Sequence, residues 1–300
     1  MKIAIAGGSG FVGSALTKEL LKQNHEIFIL TRRQKTDTTN GQVHFVEWLR
    51  KDGKPWEQLH EIDFFINLAG ESINSGRWTS ERKKRILDSR LQATEEIITI
   101  LGKLNAKPRA LINASAIGFY GTSLEETFTE EYEVSGNDFL AETVHSWEKK
   151  ASEAEALGIR TVLCRFGIIL DTSEGALPRM ALPYKFFAGG KVGSGSQWMS
   201  WIHIDDVVRG ILFAMINEGL DGPVNFTAPE PVTMDQFGRE LGTVMNRPHW
   251  LPVPGFALKL LLGEMSTLVV EGQRVLPKKL IAKGFDFRFP TLHSALTNLF

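Results

Sequence analysis

The chain has 300 residues, with 34 lysines and arginines against 35 aspartates and glutamates, and so suits one large α/β unit with an appended smaller region. Charges that nearly cancel, with no long run of either sign, leave no electrostatic footprint for nucleic acid or an anionic membrane, and neither is expected as a partner. A single cysteine, Cys164, excludes an intrachain disulfide and suits a reducing, cytoplasmic compartment, and no apolar stretch approaches a membrane span.

The first predicted element is a strand at 2–6, where Ile3, Ala4, Ile5 and Ala6 read as a fully buried run rather than as a signal peptide. It passes through Gly7, Gly10 and Gly13 into a helix predicted at 11–24, whose Val12, Leu16, Leu20 and Leu21 recur at helical spacing. Glycines so placed form a dinucleotide-binding fingerprint. The first permits a sharp turn, the second lets backbone approach a pyrophosphate, and the third lets the helix pack closely on the sheet. The unpaired N–H groups of the helix start then face the phosphates. The alternative is a glycine turn of purely structural use.

A second strand, 26–31, ends in Thr31-Arg32-Arg33. An NAD-selective site would place Asp or Glu there for the adenosine ribose. Two guanidinium groups instead suit a phosphate, each charge-assisted hydrogen bond being worth roughly 1.5–3 kcal/mol, so NADP(H) is favoured over NAD(H). The other reading is a solvated strand end, with Asp37 folding back into the acidic role.

Strands at 43–46, 63–68, 110–114 and 160–165 alternate with helices at 79–104 and 138–157. This alternation predicts a Rossmann-type α/β fold: a doubly wound parallel sheet with its ligand crevice at the carboxyl ends of the strands. After Arg165 the pattern turns irregular, with glycines and aromatics concentrated in 186–201. A helix at 205–217 and a strand at 223–226 return to the sheet, and short helices and a proline-punctuated tail follow from 233. Residues 1–170 with 201–226 are expected to form the dinucleotide domain, and 171–200 with 227–300 a smaller, substrate-side region. The most lipid-like piece, 256–262, is short and carries Lys259.

Several blocks resemble the extended short-chain dehydrogenase/reductase superfamily: Asn67-Leu68-Ala69-Gly70, Ala114-Ser115-Ala116 with Phe119-Tyr120-Gly121, and Trp201-Ile202-His203-Ile204-Asp205-Asp206. With RWTSERKKRI, GSGSQWMSWIHIDDV, GPVNFTAPEPVT and GQRVLPKKLIAKGFDF added, the chain is similar, nearly end to end, to an atypical branch of NAD(P)-dependent epimerase/dehydratase-like proteins. Members of that branch are called epimerase-family proteins and carry a C-terminal domain of unknown function. The resemblance implies an NADP(H) site in which Ser9, Phe11 and Val12 join the three glycines. It further implies cofactor contacts from Thr31, Arg32, Arg33 and Trp48, from Leu68, Ala69 and Gly70, and from Ala114, Arg165 and Gly167.

Active members of the superfamily use a Tyr-x-x-x-Lys pair on the helix after the fifth strand. The corresponding stretch, GNDFLAETVHSWEKKASEA, has no tyrosine: Phe139 or Leu140 falls at the tyrosine's place and Thr143 or Val144 at the lysine's. Apolar groups cannot exchange a proton, so the usual relay cannot operate unchanged. Ala116 stands where the tyrosine's hydroxyl partner belongs, with Ser115 one residue earlier. Ser200 stands where an arginine often grips a substrate pyrophosphate, which weakens a sugar nucleotide as substrate.

Groups left near the crevice for proton transfer are Ser115, Glu71 and Tyr120, each against a reading as packing, capping or ribose contact. His203, among Trp201, Ile202 and Ile204, reads as a structural histidine, and no metal is expected from the scattered histidines. Arg77, Arg82 and Arg85 form either a basic patch over an anionic substrate or a solvated helix face. Two functions remain open. One is an NADP(H)-dependent oxidoreductase or epimerase-like enzyme for a small carbonyl or alcohol, as monomer or homodimer. The other is a non-catalytic NADP(H)-sensing or scaffold protein.

Overall fold

The computed structural model describes residues 1–32, 41–74 and 76–300, so Arg33 and Asp37 lie outside the described residues. Seven parallel strands form the central sheet: β1 (Lys2–Ala6), β2 (Glu26–Thr31), β3 (Val43–Glu47), β4 (Phe64–Asn67), β5 (Ala110–Ala116), β6 (Arg160–Phe166) and β7 (Gly222–Phe226). Their order is β7-β6-β5-β4-β1-β2-β3. The winding direction reverses between β1 and β4, which opens a crevice at the carboxyl ends of the strands.

Helices α1 (Phe11–Lys22), α2 (Ser80–Lys103), α3 (Phe139–Ala151), α4 (Leu177–Lys185) and α5 (Ile204–Ile216) follow in chain order. Strand alternation assigns side chains to the two faces. On one face Ile3, Ile5, Ile66 and Ile112 meet Leu16 and Leu20 of α1 and Val207 and Ile211 of α5. On the other, Ala4, Ala6, Phe65 and Leu111 meet Ala93, Ile97 and Leu101 of α2, with α3 alongside. By the same alternation Asn67, Asn113, Ser115 and Arg165 project towards the α2/α3 face. That face therefore carries the polar chemistry of the crevice.

The helix expected over 138–157 is α3 followed by a 3-10 turn at Ser152–Leu157, which ends at Gly158 with φ +76°. The stretch after Arg165, irregular in sequence, contains α4 with a proline in its first turn, and a strand at Ile168–Leu170 that pairs with Trp201–His203. Two-residue strands tie the later chain to earlier loops: Val232–Thr233 pairs with Trp198–Met199, and Arg274–Val275 with Thr127–Phe128. Helices α6 (Met234–Met245) and α7 (Gly255–Leu262) belong to the same later part.

His203 begins α5 as its cap. Its Nδ1 accepts the Asp205 N–H at 3.0 Å, and its buried ring lies against Phe289. Burial lowers the imidazole's pKa, so the folded state holds the neutral ring. The unfolded chain takes up a proton near pH 6.5 that the folded chain resists, so this group's stabilisation is present above that pH and lost as pH falls. Urea unfolding between pH 7 and 5 should therefore show a steeper loss for the natural chain than for His203→Asn, which keeps a capping acceptor but does not titrate. Parallel curves would contradict this role.

Candidate functional site

The turn after β1 is closed around backbone. Gly7 has φ +80°, and a Cβ on it would lie 2.6 Å from Leu68 O. A Cβ on Gly13 would lie 2.2 Å from Gly7 O. No side chain fits at either position, so the start of α1 is drawn against the turn and against the loop after β4. Gly10, in extended conformation, is the cap of α1, and among the described residues no side chain accepts its first-turn N–H groups. Ser9 and Gly10 are exposed, Phe11 packs towards Gly175, and Val12 rests on the core. The result is a bare helix N-terminus at the switch point, the cradle a pyrophosphate needs.

Thr31 is half-buried and Arg32 exposed at the end of β2, while Arg33 is outside the described residues. Trp48, only 3% exposed, packs in the core under β2 and β3, and its backbone N–H donates to Thr31 O. Gly167 also lies under close packing, since a Cβ there would meet Ser200 O at 2.6 Å.

After β4 a buried amide network sets the loop. Asn67 Nδ2 donates to Asn113 Oδ1 at 2.6 Å and to Thr94 Oγ1 at 3.2 Å, and its Oδ1 accepts the Ala69 N–H at 3.1 Å. Leu68 N–H donates to Ala6 O, and Gly70 sits beside the Arg90 side chain. Glu71 then turns to α2, where it forms an ion pair with the buried Arg82 and a longer one with Arg85. Its carboxylate therefore anchors the loop. Arg82 is not a solvated face residue, whereas Arg85 is largely exposed.

At the end of β5 Ala114 is buried, and Ser115 Oγ donates to Glu148 Oε1 at 2.5 Å. Glu148 lies on α3 and also accepts from Arg165 of β6 through a two-point fork, Nε to Oε1 and Nη2 to Oε2, both 2.8 Å. Register pairs Ser115 with Arg165, which is why both reach one carboxylate. The guanidinium also stacks 3.6 Å from the Phe119 ring centre and 4.9 Å from that of Tyr120. Arg165 thus faces inward as the partner of Glu148 rather than outward along the crevice. Its Nη1 is buried without a well-formed hydrogen bond among the described residues.

Tyr120 is buried, and its hydroxyl donates to Asn225 Oδ1 at 2.8 Å, bracing β7. Burial pushes the phenol above its ordinary pKa although Arg165 opposes the shift. Ser200 holds the Arg274–Val275 strand, donating to Gln273 O and accepting the Val275 N–H, each at 2.9 Å. On α3, Phe139 and Leu140 are half-buried and Thr143 and Val144 buried, and Trp78 from the β4 loop meets Phe139 edge-on.

Sequence reasoning missed Glu148. The signal was present: Ala141, Val144, Trp147, Glu148 and Ala151 form the buried stripe of α3, and a carboxylate on such a stripe requires a partner.

The match to known proteins follows the same geometry. Residues 3–225 fit the model of the NAD dependent epimerase/dehydratase family, and residues 253–299 a domain of unknown function (DUF1731). The chain belongs to that epimerase/dehydratase family. It is 51% identical to the epimerase family protein YfhF of Bacillus subtilis over 299 residues, covering 100% of this chain and 98% of the relative. Among solved structures, the human epimerase family protein SDR39U1 with NADPH has a TM-score of 0.88 at 29% identity, covering 100% of this chain and 99% of that one. UDP-glucose 4-epimerase from Thermotoga maritima with UDP-glucose superposes with a TM-score of 0.79 at 17% identity, over 100% and 97% of the two chains, and shares the fold.

The Arg165–Glu148 pair gives a stability test. Arg165→Met leaves a buried carboxylate without its cation and should cost about 3–5 kcal/mol in chemical denaturation. Adding Glu148→Met should restore most of that loss. A double variant as unstable as the sum of the singles would contradict the coupling.

Proposed function

We propose that this chain is an NADP(H)-dependent oxidoreductase or epimerase-like enzyme for a small carbonyl or alcohol, in which Ser115 is the hydroxyl that meets the substrate. The observation that carries this reading is the Ser115–Glu148 hydrogen bond at the carboxyl end of β5. The glycine turn and the uncapped start of α1 fit a dinucleotide pyrophosphate. Arg32 and Arg33 would hold the 2′-phosphate, with Thr31 beside them, and Leu68, Ala69, Gly70 and Ala114 would border the nicotinamide half. When bound, the dinucleotide would supply the hydride donor or acceptor.

The chain's own groups then handle the proton. With its hydrogen committed to Glu148, Ser115 Oγ presents lone pairs to a substrate hydroxyl. During oxidation the substrate's proton passes to Ser115 Oγ while the serine's own proton passes to Glu148 Oε1, and reduction reverses both transfers. Arg165 fixes the carboxylate plane and neutralises its charge in the resting site. Glu71 and Tyr120 act as positioning residues, since Arg82 engages the first and Asn225 the second. Residues 171–200 and 227–300 form the substrate-side region. With Cys164 as its single cysteine, the chain suits a reducing, cytoplasmic setting.

A second reading, non-catalytic NADP(H) sensing, is favoured by α3's lack of a tyrosine and by the low exposure of Ser115, 3%. Titration with NADPH and NADH tests the shared part. Replacing Arg32 and Arg33 together by alanine should weaken NADPH by roughly tenfold or more and leave NADH nearly unchanged. Equal losses would remove the 2′-phosphate role. The nicotinamide absorbance, followed over panels of carbonyls and alcohols, tests the chemistry: Ser115→Ala should lower kcat by about 10²–10⁴ with NADPH affinity kept. Tight binding without turnover across the panels would select the sensor.

A further inference from the structure

Near-zero net charge conceals a segregated face. From Glu174 to Asp205, and again from Glu240 to Glu264, no acidic residue intervenes, while Arg179, Lys185, Lys191, Arg247 and Lys259 fall inside these two runs. The fold brings the runs together: Gly189 bridges to His249 and Val192 to Val253, with the Val253 N–H donating to Lys191 O at 2.8 Å.

The acids nearest these runs are engaged, Asp235 by His249 and Arg239 and Glu264 by Lys83, and around the lysines large apolar side chains stand out in solvent. Phe186, Phe256 and Leu260 are 74%, 75% and 82% exposed, and Phe187, Trp250 and Leu261 more than half exposed. Helix α7, which carries Phe256, Leu260 and Leu261, buries none of its residues. It is nevertheless anchored, because Arg77 donates to Leu261 O at 2.8 Å and Lys83 pairs with Glu264 just beyond its end. Phe187 holds a left-handed backbone, φ +59°, which a bulky residue rarely adopts. Its carbonyl accepts Trp250 Nε1–H at 2.8 Å, and Arg247 lies 4.4 Å over its ring. The aromatics are therefore held in place on the surface.

We propose that this face docks on an anionic lipid surface: the aromatic and leucine side chains enter the headgroup boundary, and Lys185, Lys191 and Lys259 meet the lipid charges. An apolar ridge with tryptophan, rimmed by cations, has the composition of an interfacial membrane contact. Charge decides against the main alternative, a second copy of the chain. A twofold interface sets the patch against itself and would oppose cation to cation. Among the described residues no helix is long and apolar enough to cross a membrane, so the contact is peripheral.

Cosedimentation of the full chain with vesicles tests this, comparing pure phosphatidylcholine with phosphatidylcholine containing about 30% phosphatidylglycerol. Binding should occur on the mixed vesicles, be at least about tenfold weaker on the neutral ones, and fall as salt is raised towards about 0.5 M. Phe256→Asp with Leu260→Asp should reduce binding by roughly tenfold or more, and so should Lys185→Glu with Lys259→Glu. Phe187→Gly suits the left-handed backbone, so it should fold as well as the natural chain yet bind vesicles less. Unchanged NADPH affinity in each variant serves as the control for folding. No sedimentation with either vesicle, equal binding to both, or Asp variants that bind normally would overturn the proposal. Concentration-dependent self-association without lipid, abolished by Phe256→Asp with Leu260→Asp, would overturn it in favour of a self-interface.

Discussion

Arg165 and Glu148 leave water to meet between β6 and α3, and the crevice depends on that meeting. Desolvation of each ion costs several kcal/mol, which a two-point fork recovers only if strand and helix are held in one relation. The pair thereby fixes the position of α3 over β5, fixes the carboxylate that accepts the Ser115 hydrogen bond, and places the Phe119 and Tyr120 rings around the guanidinium. Tyr120 extends the chain of contacts to Asn225, and so to β7. A single ionic contact thus connects the three strands at one end of the sheet.

The other half of the crevice is built on a different constraint, the close approach of backbones. Gly7 and Gly13 bring β1, α1 and the loop after β4 within distances that exclude any Cβ. The buried amides of Asn67 and Asn113 then set that loop from beneath. The fold of this half is shared with the UDP-glucose 4-epimerase of Thermotoga maritima, yet fold alone does not carry chemistry. Along this side of the crevice α3 offers Phe139, Leu140, Thr143 and Val144. Beneath it Ser115, Glu148 and Arg165 form a buried polar cluster next to the Asn67 and Asn113 amides.

The sheet was legible in the sequence because each central strand is apolar on both faces and is bounded by a turn or a helix. Strands 2–6 and 26–31 have the expected bounds, and the others differ by one or two residues where pairing extends or frays. The short strands were not legible. Ile168–Leu170 and Trp201–His203 pair across a long separation, and three residues carry no period. Helix α4 was hidden by two prolines, one tolerated in its first turn. Around the crevice, the tight glycine turn and the place of Ser115 at the end of a strand were legible because both are set locally. Glu71 and Tyr120 were legible as chemical groups but not as occupied ones, since Arg82 and Asn225 reach them from distant parts of the chain. The inward turn of Arg165 depended on Glu148, which reads locally as one more charge on a charged helix.

A crystal structure of the chain with NADPH is the most direct measurement. The pyrophosphate should lie on the Gly7–Gly13 turn and the start of α1, the 2′-phosphate at Arg32, and the nicotinamide over the end of β5. The Ser115 hydroxyl should face the space beyond that ring while still bonded to Glu148. A nicotinamide lying elsewhere, or Ser115 sealed from it behind Phe139 and Leu140 of α3, would contradict the account.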